Sequence, residues 1–560
     1  MLDKFKEPPK IRLAEVMPVE DVTTMWNAKA MRASLKQAMK DEKRRGAILA
    51  SIYAEIDNLE QPGVMTPIQH RDIPKNMRQH IVGVYMFHKE KYKADGTFDK
   101  DKTRLVLLSN LRQEETIGET YCPTVNPMSV MTQLNLAAVR KETVISAYDI
   151  KGAFLLTKMD DRRMFIRVGP DIVRYWVERI PERRQLIHED GCLYFELNRY
   201  VYGLHEAPRK FNGMLDQKLR KMGLNPTKAD PCLYTKGKDI ILSVHVDDML
   251  LTASSLKTRD WFENEIRKSF EIVAQHDNVS YLGMTVTREA DGSVRVDQRG
   301  FLEALLRKLN YSGDKHRAPN TPSTLDLTRT DPQSPRANKT EYLSLVMSLM
   351  YLARFTRPDI LFSLSYLATR SSEPSMDDLA KLHRVAHYLA GTLGVSLRFD
   401  SRVAFKPKIY SDASHHLYET GHGQQSLLIT NGSGPVGCRS TKIKMITRSS
   451  SESELVSLEE ASTYAVWYAL LLFELGCGEV KPIKIYQDNK STMVMAAVGP
   501  TFRRTKHIIG KRSYVQERLA EGEVTLGYVP TRDMLADILT KPLPPATMRE
   551  LMFKLGLIMV

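Results

Sequence analysis

Cysteine is scarce in this chain of 560 residues, which contains only five. No two of them form a Cys-x-x-Cys pair, and the set consists of Cys122, Cys192, Cys232, Cys438 and Cys477. An odd, scattered set argues against a disulfide framework and against a structural zinc site. We therefore expect reduced thiols, as in intracellular proteins.

Long apolar runs are also missing. The longest nearly apolar segment, Ala465–Phe473, falls far short of the ~20 residues that a membrane-spanning helix needs. The first residues, MLDKFKEPPK, carry charges where a signal peptide would have an apolar core. We find no internal repeat and no long low-complexity tract. The sequence therefore predicts no membrane partner and no repeat architecture.

Positive charge is abundant instead. Lysine and arginine number 81 against 67 acidic residues, which gives a net charge of +14 at pH 7. With a membrane span excluded, this excess favours nucleic acid as the polyanionic partner. The hydrophobic share of 42% and the charged share of 26% are close to globular averages. At the usual ~100–200 residues per domain, the length predicts roughly three to five domains.

Composition shifts divide the chain into regions. A charged helix at Met25–Ile56, which we interpret as solvated, leads into the first domain. Residues 81–108 predict a β-hairpin with lysines and an Asp-Gly turn at its tip. The segment 318–339 is rich in Pro, Ser and Thr and predicts a linker. Residues 408–541 predict a separate α/β domain, with three strands followed by alternating helices and strands. The predicted regions are 1–75, 76–300, 301–400, 405–545 and 546–560.

A first group of acids follows apolar strands. Asp247 and Asp248 come after the apolar run 240–246, and Asp149 ends another apolar strand. Two carboxylates ~4 Å apart repel by ~4 kcal/mol at an effective dielectric near 20, and a divalent cation removes this cost. Oxygen ligands without His or Cys indicate Mg²⁺, and two such ions can activate a 3′-hydroxyl and stabilise a leaving pyrophosphate. For Asp247 and Asp248 taken alone, a plain solvated turn is the alternative.

A second group of acids lies in the last predicted domain. Each acid stands at or near the end of a predicted element, and the group comprises Asp412, Glu454, Asp488 and Asp537. Turn and cap positions also favour such residues, so each acid alone has an ordinary structural interpretation. Glu452 competes with Glu454, but residues two apart on a helix point in different directions.

Several motifs, in order, resemble the reverse transcriptase of copia/Ty-type LTR retrotransposons. They are DIKGAF at 149–154, YGLHEAPRKF at 202–211 and VHVDD at 244–248, with KTRLV at 102–106 upstream and YLGMTV at 281–286 downstream. Further along, five segments resemble the ribonuclease H that follows this enzyme: YSDAS, RSSSESELVSL, IYQDNKST, RTKHI and LADILTKPL. The connecting segment at 342–364 also resembles the family, and its Met and Leu stripe predicts helical core.

The resemblance implies an α+β multidomain fold. The expected order is a right-hand polymerase with fingers, palm and thumb, then a helical connection, then an RNase H-like α/β domain. In these terms 1–75 is a helical lead-in, 76–300 the fingers and palm, and 301–400 the thumb and connection with the linker 318–339. The RNase H-like domain then covers 405–545, and 546–560 is a C-terminal tail.

The resemblance also implies roles for individual polymerase residues. The palm metal ligands would be Asp149, Asp247 and Asp248. The nucleotide-binding residues would be Lys102 and Arg104 at the triphosphate, Phe154 as the steric gate against a ribose 2′-hydroxyl, and Tyr202 and Gly203 lining the pocket. Two departures from the family pattern occur: His245 replaces Tyr or Phe, and His205-Glu206 replaces Lys-Gln.

The nuclease residues follow from the same resemblance. Asp412, Glu454, Asp488 and Asp537 would hold two Mg²⁺ ions, with Mn²⁺ as a substitute, and activate water against an RNA phosphodiester. We choose Glu454 over Glu452 because the catalytic Glu of such nucleases precedes two apolar positions and a small residue. His507 is a family hallmark, and both a chemical role and a helix-capping role stay open for it.

We therefore expect an RNA-directed DNA polymerase with RNase H activity that makes cDNA of a retrotransposon RNA. Its expected partners are an RNA template, a DNA primer, RNA/DNA hybrid, dNTPs, and capsid and integrase of the element. We expect it in cytoplasmic virus-like particles, with nuclear entry of the cDNA complex. The alternatives are a decayed or domesticated nucleic-acid-binding protein and an active nuclease with a silent polymerase.

Motifs of other element proteins are absent. The sequence contains no Asp-Thr/Ser-Gly protease box, no His-His-Cys-Cys integrase pattern and no zinc knuckle. We therefore expect the C-terminal part of a polyprotein, or a truncated copy that cannot transpose alone.

Overall fold

A computed structural model of the chain describes residues 33–92, 97–108, 120–140, 142–159, 162–311, 318–497 and 507–560. The first part of the predicted lead-in helix and the Asp95-Gly96 turn lie outside these residues. The described strands form four sheets. Among the described helices, none combines the length and the apolar character that crossing a bilayer requires.

The first sheet contains the predicted hairpin. Strands Val82–Tyr92 and Phe98–Leu107 pair antiparallel, which confirms it. The remaining strands of this sheet are Ala33–Ser34, Met65–Ile68, Phe165–Val168 and Leu193–Leu197. The helices around it are Leu35–Ala38, Arg45–Leu59 and Pro170–Arg179, with 3-10 turns at His70–Asp72, Lys75–His80 and Pro181–Leu186. Helix Arg45–Leu59 buries one whole side, including Ile52 and Glu55, so the solvated interpretation is wrong for that side.

The second sheet is apolar on both faces. Its strands, in spatial order, are Ile272–His276, Val144–Ile150, Asp248–Ala253, Ile240–His245, Leu233–Lys236 and Asn225–Pro226. Helices Ala207–Lys221 and Leu256–Arg267 cover one face, and helix Pro127–Val139 covers the other. Alternate side chains of each strand point to opposite faces. The helices on both sides therefore explain why the central strands are continuous apolar runs.

The third sheet joins distant parts of the chain. Its strands are Asn278–Tyr281, Met284–Arg288, Val294–Asp297, Val395–Phe399 and Leu557–Met559. The helices of this region are Arg299–Lys308, Lys339–Phe355, Leu361–Ala368 and Met376–Gly391, with a 3-10 turn at Pro358–Ile360. Residues 546–560, predicted as a tail, lie mostly in helix Pro545–Lys554 and strand Leu557–Met559. This segment is ordered rather than a free tail because the side chains of Leu551 and Leu557 are buried.

The fourth sheet has the predicted order of three strands followed by alternating helices and strands. In spatial order its strands are Pro435–Lys442, Gln424–Thr430, Lys408–Ser414, Ile483–Gln487 and Val524–Tyr528. The first three pair antiparallel, and the last two continue the sheet in parallel. The helices of this region are Ser450–Glu474, Lys490–Ala497 and Ile509–Ala520, with 3-10 turns at Thr531–Asp533 and Leu535–Leu539.

Helix Pro127–Val139 joins the second sheet to the fourth. Its Asn135 side chain donates to the Ser433 carbonyl at 3.0 Å and accepts from Asn431 at 3.0 Å. At another point, the Glu474 carboxylate accepts the backbone N–H groups of Lys228 and Ala229 at 2.8 and 3.0 Å. One apolar core runs continuously through this contact. The second and fourth sheets are therefore packed together by buried polar and apolar contacts.

The Arg-Pro-Asp segment of the connecting region forms a buried ion pair. The Arg357 guanidinium makes two hydrogen bonds to the Asp359 carboxylate, at 3.0 and 2.7 Å, and both side chains are almost fully buried. The Tyr388 hydroxyl donates to the same carboxylate at 2.7 Å. Because every partner is removed from water, the pair depends on both charges being present.

We expect Asp359→Asn to lower the free energy of unfolding by about 3–5 kcal/mol, because it leaves the Arg357 charge buried without its counter-charge. Urea unfolding followed by circular dichroism measures the change. The matched control is Arg402→Gln, which breaks an exposed contact with Asp400 and should leave the unfolding midpoint nearly unchanged. Equal midpoints for all three proteins would contradict the prediction.

Candidate active sites

The first acid cluster lies at the ends of two neighbouring strands. Strands Val144–Ile150 and Asp248–Ala253 pair antiparallel, with Asp149 directly opposite Asp248. Asp247 is in the turn before the second strand, and its carbonyl accepts the Ile150 N–H at 3.0 Å. The structure therefore brings Asp149 next to Asp247 and Asp248, which lie far from it in the sequence.

The turn that presents Asp247 has an unusual backbone. Val246, which precedes it, has φ of 56°, in the left-handed region that β-branched residues rarely adopt. Such a conformation costs on the order of 1–3 kcal/mol and persists only where the surrounding structure enforces it. Pairing of the flanking strands enforces it here. A two-residue hairpin turn needs a positive φ at its first central position, where glycine would avoid this cost, so a β-branched residue is unusual there.

Burial and mutual repulsion make the acids of this cluster hard to ionise. Burial, followed by the charges of Asp247 and Asp149, raises the pKa of Asp248 to about 7. Burial and the Asp149 charge likewise raise the pKa of Asp247. A bound divalent cation would remove this penalty, and the all-oxygen donor set fits a hard ion such as Mg²⁺.

We expect Mg²⁺ binding at the first cluster to weaken as the pH falls below about 7, because the metal must displace the proton of Asp248. The folded state keeps this proton above the pH at which an unfolded Asp loses it. Without metal, stability should therefore fall as the pH rises from about 4 to about 7. Titration calorimetry in two buffers of different ionisation enthalpy measures the released proton. Proton release equal to that of Asp248→Asn would contradict the prediction.

Two basic side chains on strand Phe98–Leu107 approach the first cluster. Burial and the neighbouring Arg104 charge lower the pKa of Lys102 to about 8, while Asp149 and Asp247 act in the opposite direction. Arg104 donates to Glu55 at 2.7 Å, and its guanidinium lies 4.9 Å from the centre of the Tyr202 ring. The arginine is thus held in place from two sides.

Glu55 is a residue that sequence reasoning missed. Besides holding Arg104, its carboxylate accepts the Leu105 N–H at 3.0 Å, and the side chain is only 5% exposed. It lies on helix Arg45–Leu59, far from Arg104 in sequence. Its position between the buried Ile52 and Ile56 on the inner side of that helix was the available signal.

The aromatic residues of the predicted nucleotide pocket contact one another. The Phe154 ring meets the Tyr202 ring edge-on, with 5.1 Å between centres. Gly203 has φ of 98°, and a Cβ there would lie 2.6 Å from the backbone N and O of Leu107. The Leu107 N–H donates to the Tyr202 carbonyl at 3.0 Å. Glycine is therefore required here because two backbone segments touch.

His245 ends strand Ile240–His245 next to the acids and is almost fully buried. Burial lowers its pKa to about 4, so the ring is neutral at pH 7. Its Nε2 is buried and has no hydrogen-bond partner among the described residues. This departure from the aromatic residue of the family therefore places an unsatisfied polar atom under the cluster.

The second acid cluster is tighter. Ligand oxygens of Asp412, Glu454 and Asp488 all lie within 4.8 Å of one another, and within the described ranges these three form the one such group of metal-binding side chains. Asp412 is on strand Lys408–Ser414, Glu454 is near the start of helix Ser450–Glu474, and Asp488 follows the next strand. Burial and the Asp412 and Asp488 charges raise the pKa of Glu454 well above its usual value.

Asp537 is electrostatically coupled to this group. Burial, followed by the Asp412 charge, raises the pKa of Asp537 to about 7. Lys541, one turn further on, approaches the Asp537 carboxylate at 2.8 Å, and the Thr540 hydroxyl donates to Asp412. Lys541 was not predicted as a site residue, although its spacing of four from Asp537 was a usable signal.

Glu452 and Glu454 point to different surroundings. The Glu452 carboxylate accepts the Arg448 N–H at 2.7 Å, and its contact with His507 Nε2 is 3.1 Å. Ser449, the N-cap residue, accepts the Glu452 N–H. Glu452 therefore stabilises the start of the helix, together with His507, whereas Glu454 joins Asp412 and Asp488.

The chain is similar in fold to a polymerase of known structure. A foamy viral protease–reverse transcriptase, solved in complex with double-stranded DNA, matches with a TM-score of 0.50 at 14% identity, over 86% of this chain and 69% of that one. At this identity the likeness establishes the fold alone. The fold is that of a reverse transcriptase-type polymerase.

Sequence comparison identifies the family. Residues 69–322 match the family described as reverse transcriptase (RNA-dependent DNA polymerase). A Retrovirus-related Pol polyprotein from transposon RE1 of Arabidopsis thaliana is 30% identical over 535 residues, 93% of this chain and 34% of that protein. The truncated transposon Ty1-A Gag-Pol polyprotein of Saccharomyces cerevisiae is 23% identical over 577 residues, 97% of this chain and 46% of that protein. The chain therefore contains a reverse transcriptase domain, and its relatives over most of its length are copia/Ty-type retrotransposon Pol polyproteins.

This confirms the resemblance of the first group of motifs to the reverse transcriptase of copia/Ty-type elements. The chain spans about a third of the length of the RE1 and RE2 polyproteins of Arabidopsis thaliana.

Proposed function

We propose that the chain is an RNA-directed DNA polymerase with an associated RNase H, and that it copies a retrotransposon RNA into cDNA. The observation that carries the polymerase half is the pairing of Asp149 with Asp248 on neighbouring strands, with Asp247 in the adjoining turn and Lys102 close by. The matched reverse transcriptase family supports the same activity.

In this proposal Asp149, Asp247 and Asp248 hold two Mg²⁺ ions. When bound, the ions would lower the pKa of the primer hydroxyl and neutralise charge on the leaving pyrophosphate. Arg104, fixed by Glu55, presents a planar guanidinium to the triphosphate oxygens. Lys102, with its lowered pKa, can also give a proton to the leaving group near neutral pH.

The proposed nucleic-acid partners are an RNA template, a DNA primer and their hybrid. The net charge of +14 supports backbone contacts that tolerate any sequence and weaken with salt. The foamy viral relative was solved with double-stranded DNA, which supports a duplex path along the same fold. Capsid and integrase are proposed as further partners because the relatives are named as Pol and Gag-Pol polyproteins.

The nuclease half is proposed from the second cluster. The side-chain oxygens of Asp412, Glu454 and Asp488 converge, and Asp537 adds a fourth carboxylate, which is paired with Lys541. Such a set fits two hard cations that activate water against the RNA strand of a hybrid. The mixed antiparallel and parallel order of the fourth sheet supports an RNase H-like domain.

We expect Phe154→Val to raise the use of ribonucleotides relative to deoxyribonucleotides by about 10–100-fold, because the smaller side chain leaves room for a 2′-hydroxyl. The ratio of kcat/KM for UTP and dTTP on poly(rA)/oligo(dT) measures this selectivity. Tyr202→Phe keeps the neighbouring ring and is the matched control, with unchanged selectivity expected. An unchanged ratio in Phe154→Val would remove the gate assignment.

The proposal is tested with the purified chain in two assays with Mg²⁺. One measures dTTP incorporation on poly(rA)/oligo(dT), and the other measures cleavage of labelled RNA in an RNA/DNA hybrid. Activity in both supports the full proposal. Cleavage without incorporation would support a nuclease with a silent polymerase, which the unsatisfied Nε2 of His245 favours. Salt-sensitive binding without either activity would support a decayed, binding-only protein.

A further inference from the structure

Two side chains of one helix hold the neighbouring strand on both sides of Arg104. The Ser51 hydroxyl lies 2.6 Å from the hydroxyl of Thr103, the residue before Arg104. The Glu55 carboxylate accepts the N–H of Leu105, the residue after it, at 3.0 Å. Ser51 and Glu55 are four residues apart and therefore lie on the same side of the helix. The backbone that carries Arg104 is thus fixed to this helix.

Within the described part of the chain, one nitrogen of the Arg104 guanidinium makes all of its hydrogen bonds. Nη1 donates to the Glu55 carboxylate at 2.7 Å and to the Thr103 carbonyl at 3.3 Å. Because Nη1 has two N–H groups, these two contacts use both of them. Nε and Nη2 have no hydrogen-bond partner among the described residues. Their N–H groups lie side by side and form the edge that can bind two phosphate oxygens at once.

The Arg104 guanidinium lies against the wall of the predicted nucleotide pocket. It is 4.9 Å from the centre of the Tyr202 ring, and that ring contacts the Phe154 ring with 5.1 Å between centres. Phe154 follows Asp149 by five residues, on the 3-10 turn Ala153–Leu156. The unengaged edge of Arg104 is therefore available beside the pocket that the first acid cluster serves.

The contacts of Glu55 prevent the arginine from turning to another position. The Glu55 side chain is only 5% exposed, and it cannot follow Arg104 elsewhere without leaving the buried Leu105 N–H unpaired. A carboxylate at Nη1 also repels phosphate from that side of the guanidinium. A side chain held in its binding position loses less conformational entropy when the ligand arrives. Glu55 therefore favours phosphate binding at the opposite edge.

We propose that Glu55 is a positioning residue for nucleotide binding: by occupying Nη1 of Arg104, it directs the Nε–Nη2 edge to the triphosphate of the incoming dNTP. This role rests on the proposed polymerase function, in which Arg104 contacts the triphosphate. Glu55 acts through Arg104 and contacts neither the nucleotide nor the metal ions. Its loss should therefore weaken nucleotide affinity and leave the chemical step nearly unchanged.

Steady-state incorporation of dTTP on poly(rA)/oligo(dT) with Mg²⁺ tests the proposal with the full chain. Glu55→Gln should raise the KM for dTTP about tenfold and keep kcat within about twofold of native, because charge-assisted binding of the ground state is weakened. Glu55→Asp keeps the charge but withdraws it by one methylene, so an intermediate KM is expected. An unchanged KM in both variants would overturn the proposal. A lowered KM would do so too, since Glu55 would then hold Arg104 away from the nucleotide.

A double-mutant cycle with Arg104→Ala separates a positioning role from a structural one. If Glu55 acts through Arg104, Glu55→Gln should raise the KM for dTTP no further when Arg104 is already alanine. A carboxylate that only stabilises the fold would have the same effect in both backgrounds. Additive effects on KM would therefore overturn the proposal.

The matched control is Glu60→Gln, which makes the same change at the end of the same helix. The Glu60 carboxylate accepts two hydrogen bonds from Arg183, at 3.1 and 2.7 Å, and one from the Trp176 ring N–H at 2.7 Å. This variant loses a similar arginine contact without touching Arg104, so its KM for dTTP should be native. An equal rise of KM in Glu60→Gln would show that any loosening of the helix is sufficient, and the specific role of Glu55 would be wrong.

Failure of this proposal is distinguishable from failure of the proposed function. Binding of labelled dTTP to the chain on a dideoxy-terminated primer requires no chemistry. If Glu55→Gln binds dTTP more weakly than the native chain, but the native chain cannot extend a normal primer, the positioning role is supported and the polymerase activity is not. Native incorporation with an unchanged KM in Glu55→Gln gives the reverse conclusion. A native chain that does not bind dTTP would overturn both.

Discussion

Asp248→Asn is expected to lower DNA synthesis by about a thousandfold, while hybrid cleavage stays within about twofold of the native rate. The change removes one negative charge and one metal-binding oxygen from a cluster built on the pairing of Asp149 with Asp248. Its shape is almost unchanged, so packing of the strand should survive. The measurement is single-turnover dTTP incorporation on poly(rA)/oligo(dT) over a range of Mg²⁺ concentrations.

The thermal unfolding temperature of this variant distinguishes a loss of catalysis from a loss of folding. The raised pKa of Asp248 shows that its ionised form is costly in the metal-free protein. Asparagine removes that cost, so the variant should unfold at the same or a higher temperature at pH 8 without metal.

The matched control for Asp248→Asn is Asp239→Asn. Asp239 lies at the opposite end of the same hairpin, where its carboxylate accepts from Ser254 at 2.9 Å. It should synthesise DNA at close to the native rate. Full synthesis by Asp248→Asn would remove the metal-ligand assignment, and a large loss in Asp239→Asn would show that the hairpin responds to any change.

Glu454→Gln is expected to abolish hybrid cleavage, by about a thousandfold, with DNA synthesis retained. Its oxygens converge with those of Asp412 and Asp488, so the amide removes one negative ligand of the three. Cleavage of a labelled RNA/DNA hybrid measures the loss, and incorporation on poly(rA)/oligo(dT) measures the retained activity.

Glu452→Gln is the matched control, since it makes the same change two residues earlier on the same helix. Glu452 contacts the Arg448 N–H and His507 rather than the acid cluster. We expect it to lose about 1 kcal/mol of stability from the helix start and to keep cleavage within severalfold of native. The opposite result, with cleavage lost only in Glu452→Gln, would exchange the two assignments.

Local patterns predicted most of the elements that present the acids. The apolar runs before Asp149 and Asp247 are strands, and the predicted order of elements in the fourth sheet is present. These features depend on neighbouring residues and on strand periodicity, which the sequence displays directly. Helix geometry predicts locally that Glu452 and Glu454 face different surroundings, because two residues on a helix turn by about 200°. The choice of Glu454 came from the family resemblance.

Partners that meet only in the folded chain could not be predicted. The contact of Glu55 with Arg104 joins residues on a helix and on a distant strand. Strand Leu557–Met559 pairs with Val395–Phe399, although all strands of the fourth sheet lie between these two in the sequence. Such contacts leave no periodic signal, because each partner also suits a solvated or locally capped position. The buried pair of Arg357 and Asp359 is intermediate: its residues are two positions apart, but their burial depends on packing against distant parts of the chain.

The contact of helix Pro127–Val139 with the fourth sheet bears on the distance between the two acid clusters. That helix covers the sheet that carries Asp149 and Asp248, and Asn135 fastens it to the loop at Asn431 and Ser433. Under the proposed function, this contact fixes the distance between the two catalytic centres. RNA would then be cut at a constant number of base pairs behind the growing primer end, whatever the template.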